Sequence, residues 1–194
     1  MSAGYAGAMN LRHLLLSAAL LGSGLPAGRA APLACDLAQS RIEIVVKATV
    51  DSFTGHLARF DPAVTLGPDG RVTAARVRFR FADVQTGKEK RDKAMHEWQD
   101  TAHHPDGDFE LESLTPQAGA AWLARGRLTF HDKTQPLEFP VTIVTQGEIW
   151  AIDGDATVDT RGFGLPVIRV MGLLKVDPLV VVRFHLQGRK QEGS

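Results

Sequence analysis

Arg76-Val77-Arg78-Phe79-Arg80-Phe81 alternates charge and hydrocarbon without a break. Successive side chains of an extended strand leave opposite faces of the sheet, so all three arginines can sit in water while Val77, Phe79 and Phe81 face a core. A helix would scatter the same residues around its axis. The period of two recurs along the chain. Ser40-Arg41-Ile42-Glu43-Ile44-Val45-Val46-Lys47 sets Ile42, Ile44 and Val46 against Arg41, Glu43 and Lys47. Phe109-Glu110-Leu111-Glu112 repeats it. So does the run from Trp122 to Phe130, with Trp122, Ala124, Gly126, Leu128 and Phe130 inward. The run from Leu137 to Ile143 alternates again, and Pro140 within it marks an edge or a bulge. Further strands are expected at 53–66, 148–158 and 179–188; in the last, Val180, Val182, Phe184 and Leu186 oppose Arg183 and His185.

About eight one-sided strands separated by turn signals such as Gly67-Pro68-Asp69-Gly70 and His131-Asp132-Lys133 predict an antiparallel sandwich or barrel. No helices alternate with the strands, which argues against a parallel α/β sheet. One helix interrupts the pattern. Thr86-Gly87-Lys88-Glu89 reads as a capping box, with reciprocal bonds between Thr86 and Glu89. The charged run to Trp98 follows, with Ala94, Met95 and Trp98 as a small apolar stripe. The expectation is a short surface helix that lays Trp98 across one end of the barrel.

The first thirty residues read as a leader. Arg12 and His13 precede the apolar run 14–21, and Gly22, Gly24, Pro26 and Gly28-Arg29-Ala30 follow. That is the pattern of a secretory signal peptide cleaved near Ala30. The run is far short of the roughly 20 residues that cross a bilayer. A membrane anchor that stays attached is the alternative, and Met9 would make a tidier start than Met1. Residues 31–39 then read as a flexible segment, 40–188 as the domain and 189–194 as a tail. Lys and Arg balance Asp and Glu at 22 each, so no basic excess points to nucleic acid. Cys35 is the single cysteine and cannot form an internal disulfide. It is expected to lie outside the barrel; a lipid anchor there would want leucine where Pro32 stands.

Several segments, in order, resemble the YceI-like family of exported lipocalin-like proteins. Ser40–Lys47 looks like its opening strand, and Gly55-His56-Leu57-Ala58-Arg59-Phe60-Asp61 like the turn into its second. The signature in which a threonine stands five residues ahead of an Arg-Asp pair matches Thr86 with Arg91-Asp92. Leu128–Leu137, with Thr134-Gln135-Pro136, resembles the family's hairpin, and Asp159–Leu165 its late Phe-Gly segment. The chain departs from the pattern at His96-Glu97-Trp98-Gln99, where aromatics are usual, at His104-Pro105 in place of Tyr-Pro, at Asp132 in place of glycine, and over 166–177. These departures are expected at the barrel mouth, where they bear on the identity of the ligand.

The resemblance implies an all-β fold, an eight-stranded antiparallel lipocalin-like β-barrel with one short helix, exported to the periplasm. It implies a non-catalytic protein that binds a polyisoprenoid or similar long-chain lipid as carrier or store. Eight strands leave an interior that side chains just fill, or that holds one small ligand, and alternation alone does not decide between them. If the barrel is hollow, the wall candidates are Ile44, Phe53, Phe60, Val77, Phe79, Phe81, Phe109, Trp122, Leu128, Phe139, Ile143 and Phe184, with Trp98 and Phe163 at the mouth. No cofactor other than the bound lipid is expected. Contact with a membrane or a membrane-bound redox protein, and a homodimer, stay open.

Catalytic patterns are weak. Gly-x-Ser-x-Gly does not occur, and no Gly-rich phosphate loop joins a strand to a helix. The alternative reading is a loop-borne metal or redox site built from His96, His103, His104, Asp106, His131 and Asp132, on a barrel that serves only as scaffold. None of these has a recognised ligand spacing. Arg91 and Asp92, adjacent on a helix, point about 100° apart and are not an acid–base pair. Each is expected to fix the helix to the neighbouring loop.

Overall fold

The protein is described by a computed structural model covering residues 29–49, 51–170 and 174–191. The proposed leader lies outside the described residues, apart from its last two. In chain order the strands are β1 (Ala31–Cys35), β2 (Arg41–Val46), β3 (Phe53–Leu57), β4 (Phe60–Leu66), β5 (Val72–Arg80) and β6 (Val84–Gln85). Helix α1 (Glu89–Gln99) comes next, and then β7 (Asp106–Pro116), β8 (Ala121–Phe130), β9 (Lys133–Gln146) and β10 (Ile149–Asp159). The small pair β11 (Arg169–Val170) and β12 (Leu174–Lys175) precedes β13 (Leu179–Lys190).

All neighbours are antiparallel. The order β4-β5-β7-β8-β9-β10-β13 is closed by β1, which pairs with β4 on one side and β13 on the other. Leu33 stands opposite Val64 in one ladder and opposite Lys190 in the other. Nearer the helix, β2 pairs with the first half of β13, and β3 pairs with β2 and β6. So β1 and β2 are two halves of one strand, β3 and β4 are two halves of the next, and the closed barrel has eight strands. Closure gives every strand of the ring a partner on both sides over at least part of its length, which limits the exposed edge that is the usual weakness of an antiparallel sheet.

Each sequence-level strand is present, with three corrections. The single strand expected over 53–66 is broken at Ala58-Arg59. The break is held by Asp83, a buried carboxylate that accepts from Arg59 Nε at 2.8 Å, while its backbone carbonyl accepts from the Ala58 N–H at 2.8 Å. Residues 31–35, read as flexible, form β1, because Ala31 and Leu33 are both buried on its inner side. Cys35 is therefore a half-buried member of the wall rather than a residue outside it, and burial pushes its thiol above the ordinary value, away from the reactive thiolate. Third, Arg189 and Lys190 extend β13 by pairing with Ala34 and Leu33, so the tail starts later than expected. Pro140 does mark an edge: the β9–β10 ladder ends at Val141–Gly154, and β9 from Lys133 to Pro140 is laddered with β8 alone.

The capping box is also corrected. Gly87 adopts φ 74°, which takes Thr86 out of helical register, and the N-cap is Lys88 without a side-chain cap. Asp92 replaces Glu89 in the bond back to Thr86. Its Oδ1 accepts from the Thr86 N–H at 2.8 Å and from the Thr86 hydroxyl at 2.5 Å. This gives the Thr–Arg–Asp spacing a physical meaning: the aspartate anchors the helix to the strand before it.

Candidate binding cavity

Inward side chains form four clusters rather than one continuous core. At the base Leu33, Val64, Leu66, Ile152 and Leu186 pack together, with Trp150 against them. At the helix end Leu128, Phe130, Val158, Phe163 and Leu165 form a second cluster that Trp98 covers. The other two lie along the wall, around Phe139–Val141 and around Ile42, Leu57 and Val84. Between them the barrel is hollow. The cavity measures about 820 Å³, toward the upper end of the range for small-molecule sites. Its lining is apolar except for Thr160 and a charged rim of Asp51, Lys88, Lys90, Arg91, Arg169 and Asp177. That rim marks the mouth, between α1 and the segments on either side of β11 and β12.

Eight strands leave little interior, so something must hold bulky side chains off the axis. Part of the answer is aromatic rings laid against glycines. Phe184 lies directly opposite Gly154, and Phe79 opposite Gly107, in their ladders. A Cβ on Gly154 would come within 2.6 Å of the Phe184 ring, and one on Gly107 would collide with Phe79. Gly126 receives the ring of Phe109 in the same way. Each ring takes the space over bare backbone that a Cβ would fill, a device related to aromatic rescue of sheet glycines.

Of the residues singled out from sequence, Ile44, Phe53, Val77, Phe79, Phe81, Trp98, Phe109, Leu128, Phe139, Ile143 and Phe184 line the cavity. Three do not. Phe60 is wedged between the base cluster and the Ile42–Leu57–Val84 cluster, beside the break between β3 and β4. Trp122 packs against the Phe139–Val141 cluster. Phe163, read as a mouth residue, is 2% exposed and stacks on Phe130 with ring centroids 4.1 Å apart. It belongs to the short 3₁₀ turn Thr160–Phe163, where local turn chemistry overrides strand alternation.

Sequence reasoning placed Trp98 of the helix at the mouth, as found, but missed the other helix residues in the lining and the late loop. Ala94 and Met95 line the mouth with Trp98. The Trp98 indole N–H donates to the Pro166 carbonyl at 2.9 Å, tying α1 to the segment that runs into β11. Arg91 stacks its guanidinium 4.1 Å from the centroid of the Phe53 ring. The apolar stripe at 94, 95 and 98 was a visible signal for the first of these. The other two are long-range contacts with no local signature.

His104 and His131 lie ring against ring, with centroids 4.1 Å apart, but their ring nitrogens and those of His103 face different groups. His103 pairs with Asp100 at 2.8 Å, which raises its imidazole and lowers the Asp100 carboxyl relative to their ordinary values. His131 Nδ1 lies 3.0 Å from the Phe163 carbonyl oxygen. His104 Nδ1 is 2.7 Å from Asp132 but out of line for a hydrogen bond, so only charge proximity is present. Among the described residues no three His, Cys, Asp or Glu side chains come together as a metal site.

A closed eight-stranded barrel, hollow and apolar inside, with one helix at its mouth, defines a lipocalin-like architecture. Residues 33–188 match the YceI-like domain, and the chain belongs to that family. No curated protein sequence matches the chain significantly. Among solved structures it is similar to BcnA of Burkholderia cenocepacia, at 22% identity and a TM-score of 0.71, with 79% of this chain and 99% of that one covered. A polyisoprenoid-binding domain from Saccharophagus degradans, implicated in plant cell wall breakdown, aligns at 13% identity and a TM-score of 0.62, covering 84% of this chain and 100% of that one. The YceI protein of Campylobacter jejuni gives 11% identity and a TM-score of 0.63, with 74% and 88% covered. At these identities the likeness speaks to the fold.

Proposed function

We propose that the barrel binds a long apolar molecule, a polyisoprenoid or a similar long-chain lipid, and serves as its carrier or store in the periplasm. The observation that carries this reading is the hollow lumen of about 820 Å³, walled by aliphatic and aromatic side chains and edged with charge at one end only. Each methylene transferred into such a space contributes about 0.8 kcal/mol, so a five-carbon isoprene unit is worth roughly 4 kcal/mol before ordering costs. A few units then offset the cost of association. The polyisoprenoid-binding relative supports the class of ligand. The leader pattern supports export, with the mature chain starting near Ala31.

The test is extraction of the purified protein with organic solvent, followed by mass spectrometry. A stoichiometric long-chain lipid is expected, and protein that repeatedly yields none, and takes up none when offered, overturns the reading. Phe79→Arg places a charge on the wall of the lumen and should abolish lipid carriage, with circular dichroism as the check that the barrel still forms. Amino-terminal sequencing of protein recovered from the periplasmic fraction tests the export step.

A further inference from the structure

We propose that the mouth selects an amphiphile with an anionic head, a carboxylate or a phosphate at the end of the apolar tail. This rests on the lumen holding an apolar chain. The charged residues of the lining all lie at the mouth: Lys88, Lys90, Arg91 and Arg169 against Asp51 and Asp177. Four cations facing two carboxylates give the hole a positive rim, while the chain as a whole is neutral.

Asp177 and Asp92 are engaged by neighbouring donors, and among the described residues none of the four rim cations has an ion-pair partner. Asp177 accepts from the Leu179 N–H at 3.0 Å. Asp92, the carboxylate next to Arg91 in sequence, is turned to Thr86 by two hydrogen bonds. The helix has one ion pair among the described residues, Lys93 with Glu97 at 3.9 Å, and it involves none of the four rim cations. Arg91 is the best placed of these. It is half-buried, and its guanidinium carbon sits over the Phe53 ring, 4.1 Å from the centroid. A ring contact of this kind uses none of the guanidinium N–H donors, which keep the fork that matches a carboxylate or phosphate. The positive end of the α1 dipole lies in the same turn. A tail seated against Phe53 and Met95 would bring its head to this fork, where a neutral head gains no charge-assisted bond.

The experiment compares hexadecanol, hexadecanoate and hexadecyl phosphate for binding to the delipidated full-length mature protein and to Arg91→Gln. Both anionic heads are expected to bind about tenfold more tightly than the alcohol, the scale of a charge-assisted hydrogen bond, and the ratio should fall toward one in the variant. The ratio separates head recognition from a damaged barrel, which would weaken all three ligands together. Equal affinity for alcohol and anions in the parent protein overturns the inference while leaving the apolar reading intact. Failure of every ligand to bind would instead sink the apolar reading. Inorganic phosphate in excess should not displace hexadecyl phosphate; displacement would mark a site for the free anion and overturn the proposal. Arg91-dependent sedimentation with phosphatidylglycerol vesicles, combined with a ratio of one, would make the rim a membrane-docking surface and overturn it too.

Discussion

At the base of the barrel, Leu33, Val64, Leu66, Ile152 and Leu186 meet across strands from both ends of the chain. At the mouth, α1 is held by a few polar contacts: Thr86 to Asp92, Trp98 to Pro166, and Gln99 to the His104 carbonyl at 2.9 Å. The base is a hydrocarbon cluster in which Leu33 and Leu66 lie behind Val64, Ile152 and Leu186, the residues that floor the cavity, and the mouth is a set of individually modest bonds around an apolar hole. Side-chain contact at the base therefore stabilises the fold, and at the mouth it positions an entrance. The wall between them is inward-facing hydrocarbon that borders empty space along its length, whereas at the base Leu33 and Leu66 stay outside the cavity.

The largest effect that would test this division is at the base. Leu66 is 0% exposed and does not line the cavity, so Leu66→Ala opens a new void and should cost about 2–5 kcal/mol in denaturant unfolding. Leu128→Ala, on the wall, enlarges a space that already exists and should cost only about 1–2 kcal/mol. Equal losses would erase the distinction between packed base and open wall. Next comes Gly154→Ala, which pushes the Phe184 ring toward the lumen. It should cost about 1–3 kcal/mol from overpacking and shorten the longest lipid accepted in a chain-length series.

Asp92→Asn tests the mouth. Burial opposes the charged carboxylate, but the bonds from Thr86 outweigh it and hold Asp92 below its ordinary value. A carboxyl depressed in the folded state contributes stability above its unfolded pKa and loses that contribution as the pH falls through the folded value. Asp92→Asn should therefore be about 1 kcal/mol less stable than the parent at neutral pH. The difference should close in acid, below the ordinary aspartate range. The smallest effect is Trp98→Phe, which deletes the bond to Pro166. About 0.5–1.5 kcal/mol is expected, with faster exchange of a fluorescent lipid and the same amount bound at saturation.

The same division explains what the amino-acid sequence revealed. Strands that face core on one side and water on the other write their period into the chain, so Val77, Phe79, Leu128, Phe139 and Phe184 could be placed inward by counting. Counting fails where the backbone leaves the sheet. Phe163 closes a 3₁₀ turn whose local bonding replaces alternation, and Phe60 follows a bend pinned by Asp83, a residue far from it in sequence. β1 was missed because five residues rich in alanine carry too few hydrocarbon side chains to show alternation. The stacking of Arg91 on Phe53 joins positions far apart in sequence. Alternation also says nothing about hollowness, which here depends on which glycine faces which ring.

Closure by β1 has a consequence for how the native ring is reached. Leu33 and Lys190 are ladder partners, so β1 can pair with β4 early but its second ladder waits for β13. Joining segments so distant carries a loop-closure cost that rises with the logarithm of their separation, and topologies dominated by such pairings fold slowly. The seam between β1 and β13 cannot form before β13 has been made, and until then the ring stays open.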